Sequence, residues 1–424
     1  MSCEASFSET RNKSCDRQVD RRSRVLQWAR DRMKGIILMR LTDEHEAFRM
    51  MVRRFVTERL NPRIPQWEAD GMMPLHDIFS EMAELGLVGL EYDPAYGGQG
   101  AEHIYTQILA EELGRSDHGA LPMALGVQVC MATPSLAHYG TEEQKQRWLA
   151  PALQGRYVAS IAVSEPDAGS DVANLRTRAV RDGDEWVING TKTWITNSIQ
   201  GDWMCLLTRT SERGEQASTG YAGMSQIIVP TDAPGFSSVK IPDKLGMRAS
   251  DTGTLTFEDC RVPVANTIGQ IGRGFQQQMA QFVVERMWGA YCVIGACDRA
   301  LERTKDYCHE RRIFGKPIAG HQYVSFRLAE LAAEVDLLRH YHRSIVEAYQ
   351  AGDDVTRQAT IAKLKAGRLV REVADWCLQF HGGMGYVEDN WPARFMRDNR
   401  LTSIGGGADE VMLQVLARLD GFSA

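Results

Sequence analysis

Apolar residues recur at intervals of three and four from Thr42 to about Gly155. Phe48, Met51, Val52, Phe55, Val56 and Leu60 make one such stripe, the spacing of a helix with one buried face. Thr42 stands where a cap belongs. Asn61-Pro62 stands where a stop belongs, because proline lacks the amide hydrogen and crowds the preceding turn. Further helical runs follow at 74–86, 103–113 and 121–138, and Thr141-Glu142-Glu143-Gln144 spells a capping box. Near Tyr157 the period shortens. Runs at 157–163, 185–189, 203–208, 226–229, 236–241 and 253–257 are rich in β-branched and aromatic residues and are separated by turn-formers such as Asp182-Gly183 and Ala233-Pro234-Gly235. From Gly274 the helical period returns, at 274–309, 321–350, 354–380 and 408–419. The pattern predicts an α+β chain: an N-terminal all-α domain over 39–156, a central β-domain (barrel or sandwich) over 157–270, and a C-terminal helical-bundle domain over 271–424.

One helical run contains an anomaly. Between Phe282 and Cys297 the only charged residues are Glu285 and Arg286, in a stretch apolar all round, as a buried helix is. Gln278 and Gln281 precede Glu285 at helical spacing, so a solvated stripe is one reading. Trp288, Gly289 and Cys292 interrupt that stripe. The other reading is a working carboxylate, with room beside it because Gly289, one turn on, carries no side chain. Desolvation raises the proton affinity of a buried carboxylate, which suits it to take a proton from a weak carbon acid.

The chain of 424 residues, 43% hydrophobic and 25% charged, is long enough to bury a large core. Its net charge of −6 leaves no basic footprint for nucleic acid. No apolar run reads as approaching the ~18 residues of a membrane span. The nine cysteines are scattered without a C-x-x-C pair, which argues against a metal site or a disulfide framework and fits a reducing compartment. The first 38 residues hold seven arginines and two lysines, but also Glu4, Glu9, Asp16, Asp20 and Asp31. Mitochondrial transit peptides are poor in acidic residues. A disordered leader and a bacterial cytoplasmic location are the expectation, ahead of the mitochondrial matrix.

Several loops have the makings of a binding site. Ser164-Glu165-Pro166-Asp167-Ala168-Gly169-Ser170-Asp171 follows a strand and can aim backbone N–H and hydroxyl groups at a polar ligand; by itself it is equally a surface turn. Lys192-Thr193-Trp194-Ile195-Thr196-Asn197 places a tryptophan and a threonine two apart, hence on one face of a strand; they read equally as packed strand residues or as an aromatic plane and hydroxyl that suit a flat conjugated group. Arg311 to Pro317 clusters cations at a helix end. His381-Gly382-Gly383-Met384-Gly385-Tyr386 and Ile404-Gly405-Gly406-Gly407-Ala408-Asp409-Glu410 break the last helices with glycines. None is a P-loop or a strand-led G-x-G-x-x-G.

Together these stretches resemble the acyl-CoA dehydrogenase family over residues 41–420. The matching segments are Val163–Asp171, Lys192–Asn197, Leu245–Pro263, Arg311–Gln322, Gln379–Tyr386 and Ile404–Glu410. The resemblance implies the family's fold, helical then β then a four-helix bundle, with FAD held between subunits of a homotetramer. Val163, Ser164, Gly169, Ser170, Trp194 and Thr196 would line the flavin. Arg311, Phe314, Gln322, Gln379 and Gly383 would reach the adenosine diphosphate part of a neighbour's cofactor. The implied reaction turns an acyl-CoA into a trans-2-enoyl-CoA: a carboxylate removes the α-proton, the β-hydride passes to flavin N5, and electron transfer flavoprotein takes the electrons onward. Most of the family carries the base where this chain has Gly406. A minority similar to isovaleryl-CoA and long-chain acyl-CoA dehydrogenases places it on the long helix, which would be Glu285 with Arg286 supporting it. Gly405 and Ala408 stand where an aromatic and a threonine are common, implying a wider acyl entrance, a branched or medium-to-long substrate, and a lost hydroxyl contact. An oxidase or monooxygenase on the same scaffold, or a non-catalytic flavin or acyl-CoA binder, is the competing expectation.

Overall fold

The computed structural model describes residues 41–212 and 220–422; the leader over 1–38 lies outside the described residues. Helix α1 (Asp43–Phe55) opens with three acidic residues and closes on Arg53 and Arg54, both favourable to its dipole. Asn61-Pro62 does not stop the chain, contrary to the sequence expectation. A π-turn over Val56–Leu60 and a 3-10 turn over Asn61–Arg63 carry it into α2 (Ile64–Asp70), with Pro62 near the start of its turn, where no amide hydrogen is required. The stop comes at Gly71, whose φ of 68° only glycine takes easily.

Helices α3 (Leu75–Glu84), α4 (His103–Gly114), α5 (Ala120–Gly126) and α6 (Pro134–Tyr139) follow. A π-turn at Val127–Ala132 joins α5 to α6, and the continuous run Ala120–Tyr139 is long and apolar enough to cross a membrane. This corrects the reading of the apolar runs. Most of the run is buried inside the protein, so it serves as a core helix. The capping box forms as expected, with Gln144 N donating to Thr141 Oγ1 (3.2 Å) and Thr141 N to Gln144 Oε1 (3.0 Å), at the head of α7 (Glu142–Gln144). Helix α8 (Ala150–Leu153) leads to the sheet.

Eight strands make one mixed sheet: β1 (Ala159–Ala162), β2 (Arg178–Asp182), β3 (Glu185–Ile195), β4 (Trp203–Glu212), β5 (Met224–Pro230), β6 (Phe236–Lys240), β7 (Gly253–Pro263) and β8 (Thr267–Ile268). The order is β6-β7-β3-β2-β4-β5-β8. One edge of β4 takes β1 in parallel along 203–206 and β2 in parallel along 209–212. Alternation along β4 sorts its side chains. Met204 and Leu206 join Trp186, Ile188, Leu255 and Phe257, while Trp203 and Cys205 pack with Leu136, Trp148 and Leu149 from the helices.

Helix α9 (Gly274–Glu310) spans the last domain, followed by a small β9 (Arg312–Ile313) and β10 (Lys316–Pro317) hairpin, α10 (Gln322–Gln350), α11 (Thr356–His381), α12 (Trp391–Asn399) and α13 (Asp409–Leu419). The Gln278 and Gln281 stripe is not a solvated face. Both are buried, and Gln226 Nε2 on β5 donates to their side-chain oxygens at 3.0 and 2.9 Å, docking α9 on the sheet. Helix α9 also meets α4 backbone to backbone. A β-carbon on Gly114 would strike the Cys292 carbonyl, and one on Gly295 the Glu111 carbonyl. Asp398 on α12 ties three regions: its carboxylate accepts from Gly119 N (2.9 Å) before α5 and from Met247 N (2.6 Å) before β7.

Candidate active site

The loop before α13 and the charge of Lys363 on α11 both bear on Glu285 of α9. Its carboxyl is half-buried, yet protein surrounds it closely enough that burial pushes its pKa up to about 7, with the charges of Arg286 and Lys363 pulling the other way. Partial exposure inside dense surroundings describes a group at the bottom of a recess. Gly289 leaves open space one turn along, with nothing within 4 Å of a β-carbon placed there. Gly406, in the loop before α13, has φ +60°, and its β-carbon would stand 3.1 Å from Glu285 Oε1. The sequence pairs Glu285 with Arg286, but neighbouring residues on a helix point about 100° apart. Arg286 accordingly turns to α11, where its Nη1 donates to Thr360 Oγ1 at 3.1 Å and Thr360 donates to Thr356 O at 2.6 Å. No ion pair joins Arg286 to Glu285 among the described residues.

The cation that reads on the loop is one the sequence did not single out. Lys363 on α11 is 4% exposed and donates from Nζ to Gly407 O. Burial brings its pKa down to about 8 against the pull of Asp409 and Glu285. Asp409 itself is engaged elsewhere: Arg371 Nη2 donates to Oδ2 at 3.1 Å, and Arg368 lies 3.7 Å from the same oxygen.

A second group gathers at the β-domain. Val163 is buried, Ser164 half-buried, and Gly169 and Ser170 exposed in the turn that the Glu165 and Ala168 backbones close on each other. Thr193 N donates to Ser164 O at 2.9 Å, fastening this turn to β3. Beneath it lies a buried ion pair. Lys192 Nζ donates to Glu165 Oε1 (2.9 Å) and Val163 O (2.8 Å), and Glu165 also accepts from Arg176 N (2.6 Å) and Thr177 N (3.0 Å). Burial lowers the Lys192 pKa to about 8, with Glu165 opposing. The expected flat strand is corrected here. A register shift between Lys192 and Ile195 marks a bulge, Trp194 adopts φ +64°, and Thr196 lies past the end of the strand. The strained backbone turns the indole outward, 63% exposed.

The third group, Arg311, Phe314, Gln322, Gln379 and Gly383, is exposed at one end of the bundle. It surrounds a small core of Cys308, Ile318, Val324 and Phe380. Phe314 sits in the β9–β10 turn at φ +47°, 93% exposed. Among the described residues no hydrogen bond or ion pair links this group to the turn at 163–171 or to Trp194. Groups of three or more metal-ligating side chains are likewise absent among the described residues.

Three family models match the chain in order: "Acyl-CoA dehydrogenase, N-terminal domain" over 42–156, "Acyl-CoA dehydrogenase, middle domain" over 160–260 and "Acyl-CoA dehydrogenase, C-terminal domain" over 272–419. A Bacillus subtilis protein named as a probable acyl-CoA dehydrogenase is 34% identical over 89% of this chain and 98% of its own. The long-chain specific acyl-CoA dehydrogenase of rat mitochondria is 33% identical over 89% of this chain and 86% of its own. The crystal structure of an acyl-CoA dehydrogenase from Geobacillus kaustophilus superposes with a TM-score of 0.85 at 36% identity, covering 89% of this chain and 98% of that one.

Proposed function

The chain belongs to the acyl-CoA dehydrogenase family of FAD-dependent oxidoreductases, and from that premise we propose that Glu285 is the base that takes the α-proton of its acyl-CoA. The observation that carries this is the meeting of Glu285 with Gly406. The loop has no side chain to offer, and the space such a side chain would enter already holds the Glu285 carboxylate. A pKa near 7 leaves Glu285 largely ionised just above neutrality while keeping it a strong enough base for a carbon acid. Asp409, which opens α13 just after the loop, is held by two arginines. A non-catalytic binder would have Glu285 on a solvated face, and its recessed position speaks against that.

FAD, when bound, supplies the acceptor for the hydride that leaves the β-carbon. Val163, Ser164, Gly169, Ser170, Trp194 and Thr196 would hold its ring system. The fit is supported by an indole presented outward on strained backbone, since such a cost is kept where a flat partner repays it. Lys192 and Glu165 fix the turn from below. Arg311, Phe314, Gln322, Gln379 and Gly383 would hold the adenosine diphosphate of the neighbour in a homotetramer. The exposed Phe314, Tyr323, Phe326, Met384 and Tyr386 around that end support an interface. Electron transfer flavoprotein as acceptor and a bacterial cytoplasmic location complete the reading.

The substrate is a branched or medium-to-long acyl-CoA, supported by the open space at Gly289 and the bare run Gly405-Gly406-Gly407. Anaerobic titration of the holoprotein with butyryl, long-chain and branched acyl-CoAs, following flavin absorbance, tests both parts. Bleaching by the branched or long chains is expected. Bleaching best by butyryl-CoA overturns the chain preference, and no bleaching by any of them overturns the activity.

A further inference from the structure

The recess holds one charged group for which base and cofactor leave no part. Lys363 is almost fully buried on α11, its ammonium donates to the Gly407 carbonyl, and no carboxylate among the described residues forms an ion pair with it. A buried ammonium spared a salt bridge is costly to keep. Its place is specific. It stands one turn after Thr360, which draws Arg286 away from Glu285, so that Lys363 rather than Arg286 is the cation joined to the loop facing the base. Gly406 and Gly407 both have positive φ, 60° and 93°, and the ammonium fixes the carbonyl that closes this left-handed pair. Lys365, two residues on, is exposed.

We propose that Lys363 is a positioning residue for proton abstraction: it clamps the Gly407 carbonyl so that the glycine loop stays bare against Glu285, and its charge keeps that carboxylate ionised in a site too dry to do so unaided. The inference rests on Glu285 being the base. The charged and titratable groups around the pair are few. Glu285 is influenced by Arg286 on its own helix and Lys363 from α11, and it bears on the Cys130 thiol from the turn between α5 and α6; Lys363 faces Asp409 and Glu410 from α13 as well as Glu285 and Arg286. Removing Lys363 takes away one of the two cations that hold the Glu285 pKa down.

The test is the pH dependence of flavin reduction at saturating acyl-CoA in holoenzyme carrying Lys363→Met, Lys363→Gln or Lys363→Arg, with FAD content and melting temperature measured in parallel. Glutamine keeps a donor for Gly407 without charge; arginine keeps the charge. The limb on which activity rises with pH is expected to move up by about one unit in the Met and Gln proteins and to stay in place in the Arg protein. At pH 7 the Met and Gln proteins should lose roughly fivefold in reduction rate and recover much of it at higher pH, with KM little changed. If Lys363→Met fails to fold, the Gln and Arg proteins decide between them. An unmoved limb in folded Gln or Met holoenzyme overturns the inference. Wild-type protein that no acyl-CoA reduces, or Glu285→Gln protein that reduces normally, overturns instead the reading on which it rests.

Discussion

A β-carbon on Gly406 would stand 3.1 Å from Oε1 of Glu285. One carboxylate position is therefore reachable from two places in the chain, the long helix and the loop before the last helix. Glu285→Gln should keep shape and cofactor and lose ~10²–10⁴-fold in the rate of flavin reduction, the worth of a general base. Moving the acid, as Glu285→Gly with Gly406→Glu, should restore part of that loss. The recovery is partial because φ at 406 is +60°, where a residue with a side chain costs roughly 1–2 kcal/mol. Stopped-flow reduction of both proteins decides, and a double variant no faster than Glu285→Gly contradicts the shared position.

The same carboxyl should make stability depend on pH in an unusual direction. Its pKa is raised to about 7 by burial, from an ordinary 4.5. Between those values the folded protein holds a proton that the unfolded chain gives up, so stability falls as pH rises through that window and the loss is complete above it. Glutamine does not titrate. Glu285→Gln should thus gain melting temperature over the wild type between pH 5 and pH 8, by a free energy of at most a few kcal/mol. An equal difference at both pH values contradicts this. Activity runs the other way, with the wild-type rate rising across pH 7.

Helix α13 begins without a side-chain cap, because Ala408 occupies the capping position. Ala408→Ser supplies an oxygen for the free amides of the first turn and should stabilise the protein by ~0.5–2 kcal/mol. Urea denaturation gives the value. Because the capped loop carries Gly406 and Gly407, the same variant should not lose activity.

Asp398→Ala leaves the buried amide of Met247 and the half-buried amide of Gly119 without acceptors. Two orphaned donors cost about 2–6 kcal/mol together. Asp398→Asn keeps one acceptor oxygen and should cost clearly less. Equal melting temperatures for the Ala and Asn variants would show that the carboxylate is not the tie.

The long helices were legible because an apolar stripe at a fixed period survives over 25 or more residues, as in Gly274–Glu310 and Thr356–His381. Helix α12 was not. Its nine residues, Trp391–Asn399, include Arg394, Arg397 and Asp398, and bury only Pro392 and Asp398. Strand β2 failed for the same reason, with three charges in five residues. Glu285 stood out because charge is rare in its surroundings. Lys363 did not, since Lys363 and Lys365 look alike in sequence and only the packing of α11 buries one and exposes the other. The bend at Trp194 was hidden because alternation describes a flat strand, and a bulge is made by the neighbour β7 as much as by β3 itself. Lys192 and Glu165 are 27 residues apart in sequence, so nothing local announces their pairing.

The crossing of α4 and α9 limits where this protein can accept a larger side chain. Backbone rests on backbone there, at Gly114 against Cys292 and at Gly295 against Glu111, so the two helices cannot close further, and any side chain introduced at those glycines would pry them apart. Room for a side chain is found instead at Gly289, elsewhere on α9, where nothing lies within 4 Å of a β-carbon, and at Gly405, which has only Leu401 near it. A library aimed at new acyl groups should therefore randomise Leu401, Ile404 and Gly405 and leave the crossing untouched.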